Sequence, residues 1–192
     1  YYTGATITAD AGAQAGLQDA ARLLDYFLSN KGETQTIAFA RMNLENYQAN
    51  AHMVNDMNNA IKAAQHFFTF TDSSSLAFTT TEEQTYNISY DSTVGNAFNN
   101  WYQAIHGYRT WYSCQVSKSG NSYTMIMNYH MRDFYDWDPN STMNAPLVSQ
   151  TQMYTLHCAG MAKHFKVVGE MKMNIVWTQG QSIGNGASYT II

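Results

Sequence analysis

The chain has 192 residues, a formal net charge of −4, 45% hydrophobic residues and only 12% charged ones. Ten Lys+Arg against fourteen Asp+Glu exclude the basic footprint that nucleic acid requires and the Lys/Arg cluster that would hold an anionic membrane. The apolar share excludes wholesale disorder, and the length suits a single domain, 1–192, that buries a core without staples.

In chain order, residues 1–68 read as a helical part. Asp10 is placed to cap a helix in which Leu17, Ala21, Leu24 and Leu28 recur at helical spacing. Asn30-Lys31-Gly32 stops it, with Gly32 in the left-handed position. A second helix carries Leu44, Tyr47, Ala51, Val54, Met57 or Asn58, Ile61, Ala64 and Phe68 as one apolar stripe. The two helices predict an αα-hairpin. Their link, Thr34 to Ala40, reads as a strand or as the start of the second helix.

Residues 69–192 read as β-rich. A Ser-rich loop follows Thr69, and 76–90 favours strands. Asp91-Ser92-Thr93 is placed to cap a short helix with Val94, Phe98, Trp101 and Ile105, ended by Gly107. Tyr112, Cys114 and Val116 then alternate with Trp111, Ser113 and Gln115. A hairpin turn at Lys118-Ser119-Gly120-Asn121 leads into Tyr123, Met125, Met127 and Tyr129, alternating with Thr124, Ile126, Asn128 and His130. A polar loop, Asp136 to about Ser149, precedes a helix capped by Ser149 or Thr151 and carrying Met153, Leu156, Gly160, Met161 and Phe165. A long strand, Lys166 to Thr178, alternates Val167, Met171, Met173, Ile175 and Trp177 against polar and smaller residues. Tyr189 to Ile192 reads as an edge strand. The expected fold class is α+β: an N-terminal helical hairpin on a mostly antiparallel sheet, with one later helix.

The few charges imply a surface made polar by Asn, Gln, Ser, Thr and Tyr, which points outside the cytosol. A start at Tyr1 without Met predicts a processed or excised piece from which any signal peptide has gone. No run reaches the ~18 apolar residues of a spanning helix. Cys114 and Cys158 form one bridge or are two buried small apolar residues. Asn87-Ile88-Ser89 and Asn140-Ser141-Thr142 match the glycosylation triplet, a pattern that also arises by chance.

The densest chemistry is His130-Met131-Arg132-Asp133-Phe134-Tyr135-Asp136-Trp137-Asp138, at the exit of a strand. In a chain with fourteen acids, three within six residues is a concentration. A strand that bends at Asp136 would let Asp133, Asp136 and Asp138 converge on one hard divalent cation, Ca²⁺ or Mg²⁺. Alternatively, one carboxyl acts as acid or base beside Arg132, with His130 and Tyr135 in support. The structural alternative is a pair of Asx-turns at Asp136 and Asp138, opening the turn at Pro139. A second cluster, Met153, His157, Met161 and His164 with Cys158 adjacent, lies at helical spacing. It is either a soft copper-binding face or a core-facing stripe. His52, His66 and His106 occur singly and read as surface or satisfied core residues. There is no Gly-rich phosphate loop, Gly-x-Ser-x-Gly, HExxH or Cys-x-x-Cys.

Residues 109–178 resemble C-terminal domains of secreted polymorphic bacterial toxins. The resemblance is carried by Arg132-Asp133-Phe134-Tyr135-Asp136-Trp137-Asp138, by Leu156-His157-Cys158-Ala159-Gly160-Met161-Ala162-Lys163-His164-Phe165, and by the strand after Gly169. It implies a secreted antibacterial effector domain, delivered by a larger secreted carrier and neutralised by an immunity protein. Asp133-Phe134-Tyr135-Asp136 is also similar to the Asp-x-Tyr-Asp part of colicin M-type enzymes, which cleave the lipid II peptidoglycan precursor. There a His-Arg pair follows; here Ser141-Thr142-Met143 stands in that stretch. The expected activity is therefore cation-assisted hydrolysis of a phosphate-containing envelope lipid. The alternatives are a non-enzymatic extracellular binding or membrane-disrupting module, and a Met/His copper-binding protein.

Overall fold

The computed structural model describes residues 1–141 and 148–192. Its elements in chain order are α1 (Tyr2–Gln14), α2 (Gln18–Leu28), β1 (Gln35–Thr36), α3 (Phe39–Glu45), α4 (Tyr47–Thr69), β2 (Ser75–Thr79), β3 (Gln84–Asn87), α5 (Asn96–Ile105), β4 (Gly107–Ser119), β5 (Ser122–Tyr135), α6 (Gln150–Cys158), β6 (Phe165–Thr178), β7 (Ser182–Ile183) and β8 (Gly186–Ile191). The fold class is α+β, as expected. The sheet order is β2-β4-β5-β6-β8-β7, with β1 on β6 and β3 on β4. It is mixed: β2 on β4 and β8 on β6 are antiparallel, while β1 on β6 and β7 on β8 are parallel. Among the described residues no helix is long and apolar enough to cross a membrane.

The chain divides into two compact units: Tyr1–Ile37, Asn87–Tyr108 and Arg132–Val168 form the first, and Ala38–Tyr86, Arg109–Met131 and Gly169–Ile192 the second. Both mix helices with strand segments, so neither coincides with a helical part to 68 or a β-rich part from 69.

In the first unit the helical hairpin is α1 on α2. Asp10 lies inside α1 rather than capping a helix. The break falls at Gly16, whose φ of 84° no β-carbon-bearing residue adopts cheaply. Asn100 of α5 caps α2: its Oδ1 accepts from the amides of Asp19 (2.8 Å) and Ala20 (3.1 Å), and its Nδ2 donates to the Asp19 carboxylate at 2.8 Å. Asp91 accepts from the amide and hydroxyl of Thr93, forming an Asx-turn, while Gly95 stands at the start of α5. The expected cap is therefore satisfied one step too early. Phe27 of α2 packs against Tyr135 and Trp137, with ring centroids 6.1 and 6.2 Å apart, and Tyr135 stacks on Phe165 at 4.9 Å.

In the second unit the long helix splits at Asn46, which is buried and accepts the Ala49 amide at 2.8 Å. The stripe along it is the expected one from Met57 through Ile61 and Ala64 to Phe68, and is shifted before that. Leu44 and Tyr47 are 70% and 55% exposed; Ala49, Met53, Asp56, Met57, Ala60, Ile61, Ala64 and Phe68 are buried. Asp56 accepts hydrogen bonds from Tyr86 (2.6 Å), Thr110 (2.8 Å) and Tyr129 (2.8 Å). A buried carboxylate surrounded by hydroxyl donors is the polar knot of this core. Phe39 stacks on Tyr129 at 5.2 Å, and Tyr123 on Trp177 at 5.0 Å. A β-carbon on Gly169 would sit 2.7 Å from that of Phe39, so β6 needs glycine there.

The alternation read from β4, β5 and β6 holds. Tyr112, Cys114, Val116, Tyr123, Met125, Met127, Tyr129, Met173, Ile175 and Trp177 are buried, and Gly120 makes the hairpin turn with φ 58°. The short apolar tail is paired rather than loose: β8 lies along β6. Both cysteines are free. Cys114 is buried, but Cys158 is exposed, because α6 ends there.

A candidate functional site at the end of β5

β5 delivers the acidic run to the first unit. Its pleat puts Tyr135 inward and leaves Asp133 half-buried on the same face, with Arg132 and Phe134 exposed on the other. Beyond the strand Trp137 turns inward, while Asp136 and Asp138 stay exposed. Together Asp133, Phe134, Tyr135, Asp136, Trp137 and Asp138 form one wall of a cavity of about 300 Å³. The end of α5 and the start of β4, from Gln103 to Gly107, supply another, with Ser141 and Gln150 completing it.

The carboxylates differ in what they touch. Asp133 accepts the Phe134 amide at 2.7 Å. Burial pushes its carboxyl from the ordinary value of 3.8 up to about 7; the Asp136 charge adds to this and the Phe134 amide opposes it. Burial also raises Asp136, helped by the charge of Asp138. Asp138 accepts from the Asn140 amide (2.8 Å) and side chain (3.1 Å), the expected Asx-turn across Pro139. Burial raises the Tyr135 phenol, so it keeps its proton, with the Trp137 indole opposing. The Trp137 amide donates to His164 Nε2 at 3.4 Å.

Among the described residues no three His, Cys, Asp or Glu side chains are grouped to hold a metal ion. Asp133, Asp136 and Asp138 thus share a wall without forming one ligand set. Two are turned to their own backbone, and strand geometry spreads consecutive side chains apart.

The cavity gathers Asp133, Tyr135, Asp136 and Asp138 of the expected residues. Arg132 and His130 are not in its lining. His130 belongs to the second unit, stacked on Trp111 at 5.3 Å with Nδ1 3.7 Å from the Glu170 carboxylate. The copper face does not form either, because α6 stops at Cys158 and Gly160 (φ 70°) turns the chain. Met161 is 48% exposed. His157 and His164 stack at 3.7 Å, and burial, with His157 beside it, pushes His164 down to about 4. Two imidazoles remain where four soft ligands were expected.

Gln103 and Gln150, which the sequence did not single out, also line the cavity, and so does His106, exposed as a surface histidine. His106 holds φ 40°, an uncommon backbone for histidine, and its Nδ1 lies 3.1 Å from the Ile88 carbonyl. The only signal in the sequence was a histidine directly before the helix-ending Gly107. No family model, no curated protein and no solved structure matches the chain.

Proposed function

We propose that the chain is a secreted antibacterial effector domain that acts in the target cell's envelope, with the cavity around Asp133 as its working site. The observation that carries this reading is a half-buried aspartate raised to about 7 beside a second raised aspartate, on the wall of a concave site. A carboxyl titrating near the working pH is suited to general acid–base catalysis. Asp133 takes a proton from the attacking water and returns it to the leaving oxygen as the hydrolysed bond breaks, Asp136 keeps its carboxyl high, and the Tyr135 phenol donates a hydrogen bond. Proton transfer by the protein needs no shared cation, in keeping with carboxylates that, among the described residues, form no group able to hold a metal ion. The likeness of residues 109–178 to polymorphic toxin domains supports the effector class, and with it a carrier and an immunity protein. The sparse charge supports an extracellular setting.

Expression directed to the periplasm and, in parallel, to the cytoplasm of a susceptible bacterium tests this. Growth arrest is expected only in the periplasm, and Asp133→Asn or Asp136→Asn should relieve it while the variants stay folded. Unimpaired growth with the native chain, or full toxicity in both variants, sinks the reading.

A further inference from the structure

A second cavity of about 310 Å³ lies in the first unit, walled by α1 and α2. Its lining is small and apolar, with Ala9, Gly12, Ala15, Leu17 and Ala20 among it. Ala11 and Ala15 of its lining are exposed, so it opens to solvent as an apolar groove, and such a groove is suited to an apolar ligand. Gln103, Tyr135 and Trp137 line both this cavity and the acidic one. Trp137 is 8% exposed, and its Nε1 has no hydrogen-bond partner among the described residues. The Tyr135 phenol lies beside it. A buried donor without an acceptor is costly, and one on the wall of two cavities is placed to be satisfied by a ligand. Among the described residues neither cavity is lined by Lys or Arg, whereas Asp133, Asp136 and Asp138 line the first. An anionic head is therefore repelled and a cationic one attracted.

We infer that the two cavities together bind a single-chain amphiphile, with a protonated amine head at the aspartates, an acceptor group within reach of Trp137 Nε1, and the apolar chain between α1 and α2. This rests on reading the acidic cavity as the working site, and it replaces a phosphate head with an amine one. Each cavity alone is at the lower end of the ~300–1,000 Å³ of small-molecule sites, in keeping with one head and one chain.

The probe is dodecylamine below its micelle concentration, titrated into the full chain at pH 7. Tryptophan fluorescence and calorimetry are the readouts, and butylamine and dodecyl sulfate are the comparisons. One saturable site is expected, with dodecylamine binding at least about tenfold more tightly than either comparison, since head and chain each contribute. Asp136→Asn should weaken it about tenfold by removing a charged partner. Ala20→Phe and Gly12→Leu, which fill the apolar cavity from α2 and from α1, should abolish it, with melting curves confirming that each variant folds. Equal binding of dodecyl sulfate, no saturable binding by the native chain, or full affinity in a folded Ala20→Phe or Gly12→Leu variant overturns the inference. The toxicity assay separates this from the effector reading. A native chain that arrests growth but binds no dodecylamine loses only the ligand class. One that binds dodecylamine through Asp136 yet is harmless loses only the effector role.

Discussion

Asp56 and Asp133 are two partly or wholly buried aspartates in a chain poor in charge, and their surroundings differ in kind. Asp56 is 0% exposed and takes three hydroxyl hydrogen bonds, from Tyr86, Thr110 and Tyr129. Around it burial raises Tyr86 and lifts Tyr112 to about 12, with the Asp56 charge adding in each case, so both phenols stay protonated. Asp133 is half-buried, receives its neighbour's amide, and lines an open cavity with a second raised carboxyl near it. A carboxylate whose lone pairs are filled by protein donors holds a core together. One that burial destabilises, with a single neighbouring amide offsetting it in part, is left ready to exchange a proton.

That contrast breaks most visibly at Asp56. Asp56→Ala leaves the buried Thr110 and Tyr129 hydroxyls and the part-buried Tyr86 hydroxyl without their acceptor and should cost about 3–5 kcal/mol, read as a lower urea midpoint with unchanged slope. A loss below about 1 kcal/mol would mean that the knot is not structural.

Asp133 predicts the opposite sign. Its folded value lies above its unfolded one, so the native state binds the extra proton between about pH 4 and pH 7. Stability from this group is present below its ordinary value of 3.8 and is lost as pH rises through about 7. Asp133→Asn should flatten that fall and gain roughly 1–2 kcal/mol at pH 8 relative to pH 4, after allowance for solvent screening. Parallel stability–pH curves for native and variant would remove Asp133 from the comparison.

The smallest effect is the cap of α6, which holds the helix start beside the acidic cavity. The Ser149 hydroxyl accepts the Gln152 amide at 3.2 Å, and Gln152 returns the bond to the Ser149 amide at 2.9 Å. Ser149→Ala should cost about 1 kcal/mol by thermal melting. It should leave the Asp133 titration unmoved; a shifted titration would tie the cap to the site.

Much of this was legible one residue at a time. The alternation of β4, β5 and β6 predicted their buried faces because a strand repeats every two residues whatever it packs on. Ser149 was one of two cap candidates beside Thr151, and the capping box with Gln152 shows which of them is used. The acidic wall was legible as a concentration of carboxylates where charge is scarce. The stripe of α4 was legible from Met57 to Phe68, but its first half was misread because an aspartate stands next to it in the core. Apolar periodicity skips Asp56, and only the hydroxyls of Tyr86, Thr110 and Tyr129, up to 73 residues away, make its burial tolerable. The Met/His face failed because helical spacing was extended past the point where α6 ends.

The sequence by itself determined the α+β class, the hairpin of β4 and β5, and the neighbourhood of Asp133, since each depends on local periodicity, turn chemistry and composition. Only the tertiary structure decided that α1 pairs with α2, that Asp56 is a core residue, that His106 and Gln103 face the acidic run, and that the three carboxylates share a wall without sharing an ion. Those outcomes depend on which distant groups meet, and so on where each buried polar atom finds, or lacks, a partner.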